Sequence, residues 1–296
     1  MANRTRSIQR RVAALAALAA CVWAAPALAQ QPAAAPVPAD LTLPADEPGA
    51  LDRLNHSPRH GEWVKVDAGS GDTVKAWVVY PERRDRAPVI LVISEIFALT
   101  DWLRGVADQL AAEGFIAIAP DLITGKGPNG GGTESVDRQG AVRLIMALDR
   151  GEVMRRLQAA ARYGTALPAA RNVVGAVGFC WGGSTSFALA TNWTGLGAAV
   201  VYYGTSPADS VLGNVRAPVL GLYGADDARV DVTVPPAQAA MQRLGKRYEV
   251  MMFDGAGHGF LRDQSLREGA NLRAARQAWP RTIAFLRETL ADEGRR

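Results

Sequence analysis

An apolar run that leads directly into a Gly-x-Cys-x-Gly motif is the most constraining feature of this sequence. Residues 173–177 are small or β-branched and apolar, the motif spans Gly178–Gly182, and a helix-forming stretch follows it. The pattern predicts a buried strand, a tight turn that carries Cys180, and a helix whose N-terminus faces the sulfur. Glycines keep Cβ atoms out of a crowded turn, and a helix N-terminus favours a thiolate. The sequence therefore predicts a nucleophilic thiol at a strand-to-helix turn.

Strand and helix patterns alternate along the chain from residue 61 onward. The predicted strands are Glu62–Asp67 and Thr73–Tyr80 (a hairpin), Pro88–Ile93, Phe115–Ala119, Val173–Gly178, Ala198–Tyr203, Val219–Tyr223 and Tyr248–Phe253. The predicted long helices are Thr100–Glu113, Val136–Tyr163 and Asn271–Glu288. Buried apolar strands separated by helices indicate a mostly parallel sheet that helices cover on both faces. Together with the cysteine turn, this alternation predicts one domain of the α/β class with the α/β-hydrolase fold.

The order of the remaining polar residues predicts a catalytic triad. In the α/β-hydrolase fold, an acid and then a histidine follow the nucleophile along the chain, each in a loop after a strand. Asp227 follows the predicted strand Val219–Tyr223, and His258 lies in a Gly-rich loop after the last strand. Since His258 is the only histidine of the predicted domain, we expect it to be the base. We expect Asp227 to orient it, with the neighbouring Asp226 as the alternative.

The first 29 residues have the pattern of a secretory signal peptide. Four arginines precede an apolar stretch at Val12–Ala25. Residues 27–29 (Ala-Leu-Ala) then form a cleavage motif. The stretch is too short to predict a transmembrane helix. We therefore expect cleavage after Ala29 and a periplasmic or secreted protein. The alternative is a lipoprotein anchored to a membrane through Cys21, because residues 18–21 (Leu-Ala-Ala-Cys) resemble a lipobox.

Removal of the signal peptide changes both the charge and the cysteine content. The full chain has 33 basic and 29 acidic residues. Because all four charged residues of the signal are arginines, the mature chain carries 29 of each sign, so its charge does not indicate nucleic-acid binding. Cleavage also leaves Cys180 as the only cysteine, without a disulfide partner. An unpaired thiol is open to oxidation in an exported protein, so its presence there indicates a function.

Residues 30–60 are rich in Ala and Pro at first and then polar. This composition predicts a linker that leads into a loosely docked N-terminal segment. His56 and His60 lie four residues apart, but Pro58 between them excludes an ordinary helix interior, so we expect solvated loop histidines rather than a metal site. The predicted organisation is a signal peptide (1–29), this segment (30–60) and the catalytic domain (61–296).

The chain resembles the dienelactone hydrolase family from about residue 61 to about residue 290. Six motifs in the family's order carry the resemblance. They are Ile93-Ser94-Glu95-Ile96-Phe97, Ala119-Pro120-Asp121-Leu122, Gly178-Phe179-Cys180-Trp181-Gly182-Gly183, Tyr202-Tyr203-Gly204, Gly224-x-x-Asp227-x-x-Val230 and Gly257-His258-Gly259-Phe260. The resemblance implies that Cys180 attacks an ester or lactone carbonyl, that His258 serves as base and acid, and that Asp227 holds the histidine.

The resemblance also assigns residues around the thiol. It places Glu95 near Cys180, where a carboxylate raises the pKa of the sulfur until a substrate-triggered shift of that carboxylate lets the thiolate form. The alternative is that Glu95 is a glutamate at the end of a strand that pairs with an arginine. The oxyanion hole is expected to consist of the backbone N–H groups of Ile96 and Trp181.

Arginines hold an anionic substrate in this family. Arg262 has the spacing of one of them, four residues after the histidine. A second family arginine falls on the helix after the Gly-rich loop of residues 124–133, where Arg138 or Arg143 matches it. We therefore expect Arg262 and Arg138, with Arg143 as the alternative, to bind a substrate carboxylate.

The sequence thus predicts a hydrolase of a small ester or lactone that acts through an acyl-thioester intermediate. Because the triad and the oxyanion hole supply the chemistry, we expect neither a cofactor nor a metal. We also expect no nucleic-acid partner, a monomer, and no membrane association unless Cys21 is lipidated. Two alternatives come from other classes. One is a binding protein that keeps the fold without turnover, and the other is a thiol redox sensor that uses Cys180.

Overall fold

Eight strands form one sheet in the computed structural model, which describes residues 40–291. The strands are β1 (Gly61–Gly69), β2 (Asp72–Val79), β3 (Ala87–Ile93), β4 (Ile116–Pro120), β5 (Ala170–Phe179), β6 (Ala198–Tyr202), β7 (Val219–Gly224) and β8 (Tyr248–Phe253). Their order across the sheet is β1-β2-β4-β3-β5-β6-β7-β8. Strand β2 is antiparallel to β1 and β4, and every other pair is parallel. The predicted mostly parallel sheet is therefore confirmed.

Helices cover both faces of this sheet. They are α1 (Ala50–Asn55), α2 (Asp101–Ala112), α3 (Arg138–Met146), α4 (Arg150–Ala166), α5 (Trp181–Asn192), α6 (Asp209–Leu212), α7 (Ala228–Asp231), α8 (Val234–Arg243) and α9 (Ala270–Thr289). One apolar core contains side chains of α4, α5 and α8. A second core contains side chains of α2 and α9. The helices α2 and α9 agree with the sequence prediction to within one residue at each end.

The central strands are apolar along their whole length because each one faces two cores. All seven residues of β3 are buried. Val89, Leu91 and Ile93 belong to the core with α4 and α5. Ile90 and Val92 belong to the core with α2 and α9. This alternation is the period of two expected for a strand, and it explains why the sequence has continuous apolar runs rather than alternating polar residues.

The single long helix predicted over Val136–Tyr163 is wrong, because the structure has two helices there. Helix α3 ends at Met146, and the side chain of Asp149 accepts a hydrogen bond from the Glu152 N–H to begin α4. An aspartate that caps a helix in this way favours the start of a new helix at this position. The spacing of apolar residues continues across the break between the two helices, so periodicity alone predicts a single helix.

The N-terminal segment is more firmly docked than expected from residue 40 onward, whereas the Ala/Pro-rich residues 30–39 of the predicted linker lie outside the described residues. From residue 40 onward it belongs to the folded domain: α1 packs against α2, and Leu43 and Ala50 are each only 1% exposed. Asp108 of α2 lies 2.5 Å from an Arg59 nitrogen, which fixes the end of the segment. Residues 40–60 therefore belong to the same compact unit as the residues after the predicted boundary at residue 61. His56 and His60 do lie exposed to solvent, as expected.

The predicted signal peptide, its cleavage site and Cys21 lie outside the described residues. Within residues 40–291, no helix combines the length and the apolar content needed to cross a membrane.

Candidate active site

The turn between β5 and α5 carries Cys180. Its backbone has φ 55° and ψ −116°, a region that residues with a Cβ rarely adopt and that is found at functional turns. The adjacent glycines make the turn possible. A Cβ on Gly178 would lie 1.9 Å from the Gly182 carbonyl oxygen, and a Cβ on Gly182 would lie 2.3 Å from the carbonyl oxygen of Ile93. The structure thus places the thiol on the strand-to-helix turn that the motif predicted.

The thiol of Cys180 is held in its neutral form. Burial and, to a smaller extent, the negative charge of Glu95 raise its pKa to about 11. Backbone N–H groups of Trp181 and Ile96 donate toward the sulfur, and the charge of Arg229 also favours the thiolate, but these effects are smaller. The two N–H groups expected to form the oxyanion hole therefore converge on the sulfur.

The loops after β7 and β8 bring together His258 and Asp227. His258 Nδ1 lies 2.5 Å from Asp227 Oδ2, and the Asp227 side chain is only 7% exposed. Because a carboxylate can only accept, this contact assigns the proton to Nδ1 and leaves Nε2 available as a base. Asp226 instead pairs with Arg267 at 2.6 Å and is half exposed. Of the two aspartates considered from sequence, the structure brings Asp227 to the histidine.

No hydrogen bond joins Cys180 to His258 within the described part of the chain. The sulfur lies instead among the N–H groups of Ile96 and Trp181, on the side of Glu95. The structure therefore shows the thiol with the N–H groups of the expected oxyanion hole rather than in a hydrogen bond with the histidine.

Glu95 follows β3 and is almost completely buried, with 4% of its surface exposed. Its Oε2 lies 2.7 Å from Arg262 Nε, although the Nε–H does not point at an acceptor, so the contact is an ion pair rather than an aligned hydrogen bond. The second oxygen, Oε1, is buried without a hydrogen-bond partner. Burial raises the pKa of Glu95 to about 7, against the opposing effect of the Arg262 charge. A carboxylate beside the thiol therefore titrates near neutrality.

The two arginines expected to bind a substrate carboxylate already have carboxylate partners. Arg262 Nη1 lies 2.8 Å from Glu47 and 2.9 Å from Asp263, in addition to the Glu95 contact. Arg138, the first residue of α3, lies 2.6 Å from Glu47. Neither guanidinium is therefore unpaired. The alternative, Arg143, is exposed in the last turn of α3.

The Gly-rich loop of residues 124–133 is tied to the ends of β3 and β4. Asp121 accepts hydrogen bonds from the N–H and the hydroxyl of Thr133, both at 2.8 Å. The Thr133 hydroxyl oxygen accepts in turn from the N–H of Leu99. A Cβ on Gly132 would lie 2.1 Å from an Asp121 oxygen. These contacts hold the end of the loop close to the turn that contains Ile96.

Two residues at the site received no role from the sequence. Tyr203 packs its ring 5.1 Å from that of His258, and its hydroxyl is buried without a partner. Tyr203 belongs to one of the six family motifs, residues 202–204, and this motif could have pointed to it. Glu47 contacts both Arg138 and Arg262, and no sequence signal pointed to it, because it lies in the segment interpreted as a linker.

Comparison with known proteins places this chain in a family. The profile of the dienelactone hydrolase family matches residues 74–290. A Salmonella typhimurium protein named "Putative carboxymethylenebutenolidase" is 29% identical over 237 residues, which cover 76% of this chain and 86% of that protein. A Bradyrhizobium sp protein named "Probable 2-oxo-3-(5-oxofuran-2-ylidene)propanoate lactonase" is 28% identical over 243 residues, covering 76% of this chain and 93% of that protein.

A solved structure shows the same architecture. The crystal structure named "Putative Dienelactone Hydrolase" from Klebsiella pneumoniae superposes with a TM-score of 0.67 at 26% identity, over 77% of this chain and 98% of that chain. The family profile covers well over half of the sequence, and the resemblance noted from the motifs is confirmed. The chain therefore belongs to the dienelactone hydrolase family and is an α/β-hydrolase that acts on esters or lactones.

Proposed function

We propose that this chain hydrolyses a small ester or lactone by attack of Cys180, with His258 as base and Asp227 as its orienting acid. The observation that carries the proposal is the arrangement around the sulfur. Cys180 occupies a strained turn with the N–H groups of Ile96 and Trp181 directed at it, and the paired His258 and Asp227 lie in the loops after β8 and β7. The names of the relatives, a carboxymethylenebutenolidase and a lactonase, support the substrate class.

In the resting enzyme the nucleophile is protected. A thiol with a pKa of about 11 is almost entirely protonated at neutral pH, which limits its oxidation and alkylation. Activation follows when a bound substrate shifts the Glu95 carboxylate away from the sulfur. The like charge that opposes ionisation is then removed, and the thiol turns toward His258, whose Nε2 takes its proton.

Covalent catalysis then proceeds in two halves. The thiolate attacks the carbonyl carbon, and the oxygen that becomes negative accepts hydrogen bonds from the N–H groups of Ile96 and Trp181. The C–O bond to the leaving group breaks, the alkoxide takes the proton from His258, and an acyl-thioester on Cys180 remains. Water next gives a proton to His258 as it attacks the thioester, the sulfur leaves as a thiolate and takes this proton back from His258, and the carboxylic acid is released.

The test is hydrolysis of p-nitrophenyl acetate, a neutral lactone and cis-dienelactone by the wild type and by Cys180→Ala. We expect turnover of at least one substrate by the wild type and its loss in the variant, together with an acetylated wild-type protein in rapid-quench mass spectrometry. Equal activity of the two proteins would exclude Cys180 as the nucleophile. A wild type that hydrolyses none of the three would argue against the substrate class.

We also propose that the protein is exported and acts as a monomer in the periplasm or outside the cell. The signal pattern of residues 1–29 supports export. N-terminal sequencing of the mature protein should begin at Gln30, whereas lipidation would give an N-terminus at Cys21 with added acyl mass. Light scattering of the mature protein should give the mass of one chain, and a larger mass would contradict the monomer.

A further inference from the structure

The carboxylate of Glu47 bridges two guanidinium groups at the edge of the candidate site. Its Oε1 lies 2.6 Å from Arg138 Nη1 and its Oε2 lies 2.8 Å from Arg262 Nη1. Both guanidinium groups also lie over the ring of Phe97, at 3.5 Å for Arg138 and 5.2 Å for Arg262. Planar cations on an aromatic face with a carboxylate between them form a recognisable carboxylate-binding arrangement. In this chain the carboxylate in that arrangement is the side chain of Glu47.

Glu47 is held in this position by the fold of the N-terminal segment. Its N–H donates to the carbonyl of Arg262 at 2.9 Å, so backbone and side chain contact the same residue. Gln264 donates to the carbonyl of Pro44 at 2.8 Å, and the side chain of Leu43 is buried in the core. The carboxylate is therefore presented by a docked segment, at a high effective concentration relative to any dissolved ligand.

The charge balance leaves no unmatched cation in this cluster. Among the described residues, Arg262 contacts the three carboxylates of Glu47, Glu95 and Asp263, while Arg138 contacts the carboxylate of Glu47. Burial acts to raise the pKa of Glu47, but the hydrogen bonds from Arg138 and Arg262 outweigh it, so this pKa lies below its ordinary value. Two arginines thus face the carboxylates of Glu47 and Asp263 and the Glu95 side chain, which ionises near neutrality. An additional carboxylate would therefore find both cations already paired.

The cluster is connected to the nucleophile through Glu95. Arg262 Nε lies 2.7 Å from Glu95 Oε2, and the charge of Glu95 in turn acts on the Cys180 sulfur. Ile96, whose N–H is directed at that sulfur, is the residue before Phe97. The two arginines are therefore linked to the thiol through one side chain, Glu95.

We propose that Glu47 occupies the place of a substrate carboxylate and makes this site select uncharged esters and lactones. The inference rests on the proposed function, namely that hydrolysis takes place at Cys180. An anionic substrate has to displace Glu47 from two ion pairs before it gains equivalent contacts, so the exchange brings no net gain in binding. A neutral substrate leaves the cluster intact.

The test compares two esters that differ only at the end of the acyl chain, p-nitrophenyl hexanoate and mono-p-nitrophenyl adipate. We expect the wild type to prefer the neutral ester in kcat/KM by about 10-fold or more, as one unfavourable charge interaction of moderate strength gives. Glu47→Gln should reduce that preference by about 10-fold, mainly through a lower KM for the adipate ester. Asp52→Asn is the matched control, because it removes the same charge from an exposed position of the same segment, and it should leave the preference unchanged.

A replacement variant and a binding measurement test the role of Glu47 even if Glu47→Gln does not fold. Glu47→Ala replaces Glu47→Gln if the amide variant does not fold, since the backbone bond to Arg262 does not need the side chain. Calorimetric titration with adipate into Cys180→Ala and into Cys180→Ala/Glu47→Gln measures carboxylate binding without any turnover, and we expect tighter binding to the double variant. Adding Arg138→Gln should abolish that gain.

The results distinguish the role of Glu47 in selectivity from the role of Cys180 as nucleophile. A wild type that prefers the adipate ester, or an unchanged preference together with equal adipate binding, would overturn the role of Glu47. Failure of Cys180→Ala to reduce hydrolysis would overturn the proposed nucleophile instead, and the calorimetric comparison would still decide whether Glu47 excludes a carboxylate.

Discussion

His258 Nδ1 lies 2.5 Å from Asp227, whereas Asp226, the preceding residue, forms an ion pair with Arg267. The two aspartates follow the same strand and carry the same chemical group, yet one side chain is 7% exposed and the other 50%. A buried carboxylate can fix the tautomer and orientation of an imidazole, and an exposed ion pair contributes little to either.

This difference provides a matched pair of variants. Asp227→Asn should reduce kcat/KM for p-nitrophenyl acetate by about 10³-fold or more, because the amide no longer holds the proton on Nδ1 of His258. Asp226→Asn should change it by less than about fivefold, since an exposed pair contributes at most about 1 kcal/mol. Initial rates at pH 8 measure both, and thermal melts followed by circular dichroism report whether each variant is folded. Similar losses in the two variants would contradict the assignment of Asp227.

Reactivity of the thiol gives a second prediction. Burial and the charge of Glu95 raise the pKa of Cys180 to about 11, so iodoacetamide should alkylate the native protein slowly at pH 8 and faster as the pH rises. Glu95→Gln removes the like charge and lowers the pKa of Cys180, so we expect about 10-fold faster alkylation at pH 8 if the pKa falls by about one unit. The exposed Glu82→Gln is the control and should behave like the wild type. A wild-type alkylation profile with its midpoint at or below that of the unfolded chain would contradict the prediction.

Local sequence signals predicted the centre of the site, and long-range contacts account for what they left out. The turn at Cys180 depends on glycines within two residues of it, so the local motif is sufficient to predict the conformation of the turn. His258 could be predicted as the partner of Asp227 because it had no rival histidine in the domain. The contact of Glu47 with Arg262 joins residues 215 positions apart, and no local pattern encodes such a pairing. The partners of Asp226 and Asp227 likewise depend on how three loops meet.

The stability of the fold should depend on pH through Glu95. Burial raises the pKa of Glu95 to about 7 in the folded protein, above the ordinary value of 4.5. The stabilising contribution of its protonated form is complete below pH 4.5, declines as the unfolded chain releases this proton first, and is lost once the pH passes about 7. The shift corresponds to about 3 kcal/mol in the free energy of unfolding.

Glu95→Gln removes this titration. The unfolding free energy of the variant, measured against that of the wild type by urea denaturation, should rise by about 3 kcal/mol between pH 4.5 and pH 8. Glu82→Gln serves as the control and should show no comparable change. A difference between Glu95→Gln and the wild type that does not vary with pH would show that Glu95 ionises normally in the folded protein.

The docking of the N-terminal segment onto the domain is tested by two leucines in one turn. Leu43 is 1% exposed and belongs to the core that contains α2 and α9, whereas Leu41 is 72% exposed. Leu43→Ala should therefore lower the free energy of unfolding by about 2–5 kcal/mol, and Leu41→Ala by less than about 0.5 kcal/mol. Because Leu43 anchors the segment that presents Glu47, Leu43→Ala should also weaken the discrimination against the adipate ester. Equal and small effects of the two substitutions on unfolding would mean that the segment is not part of the cooperative core, and Glu47 would then lack the fixed position on which its proposed role depends.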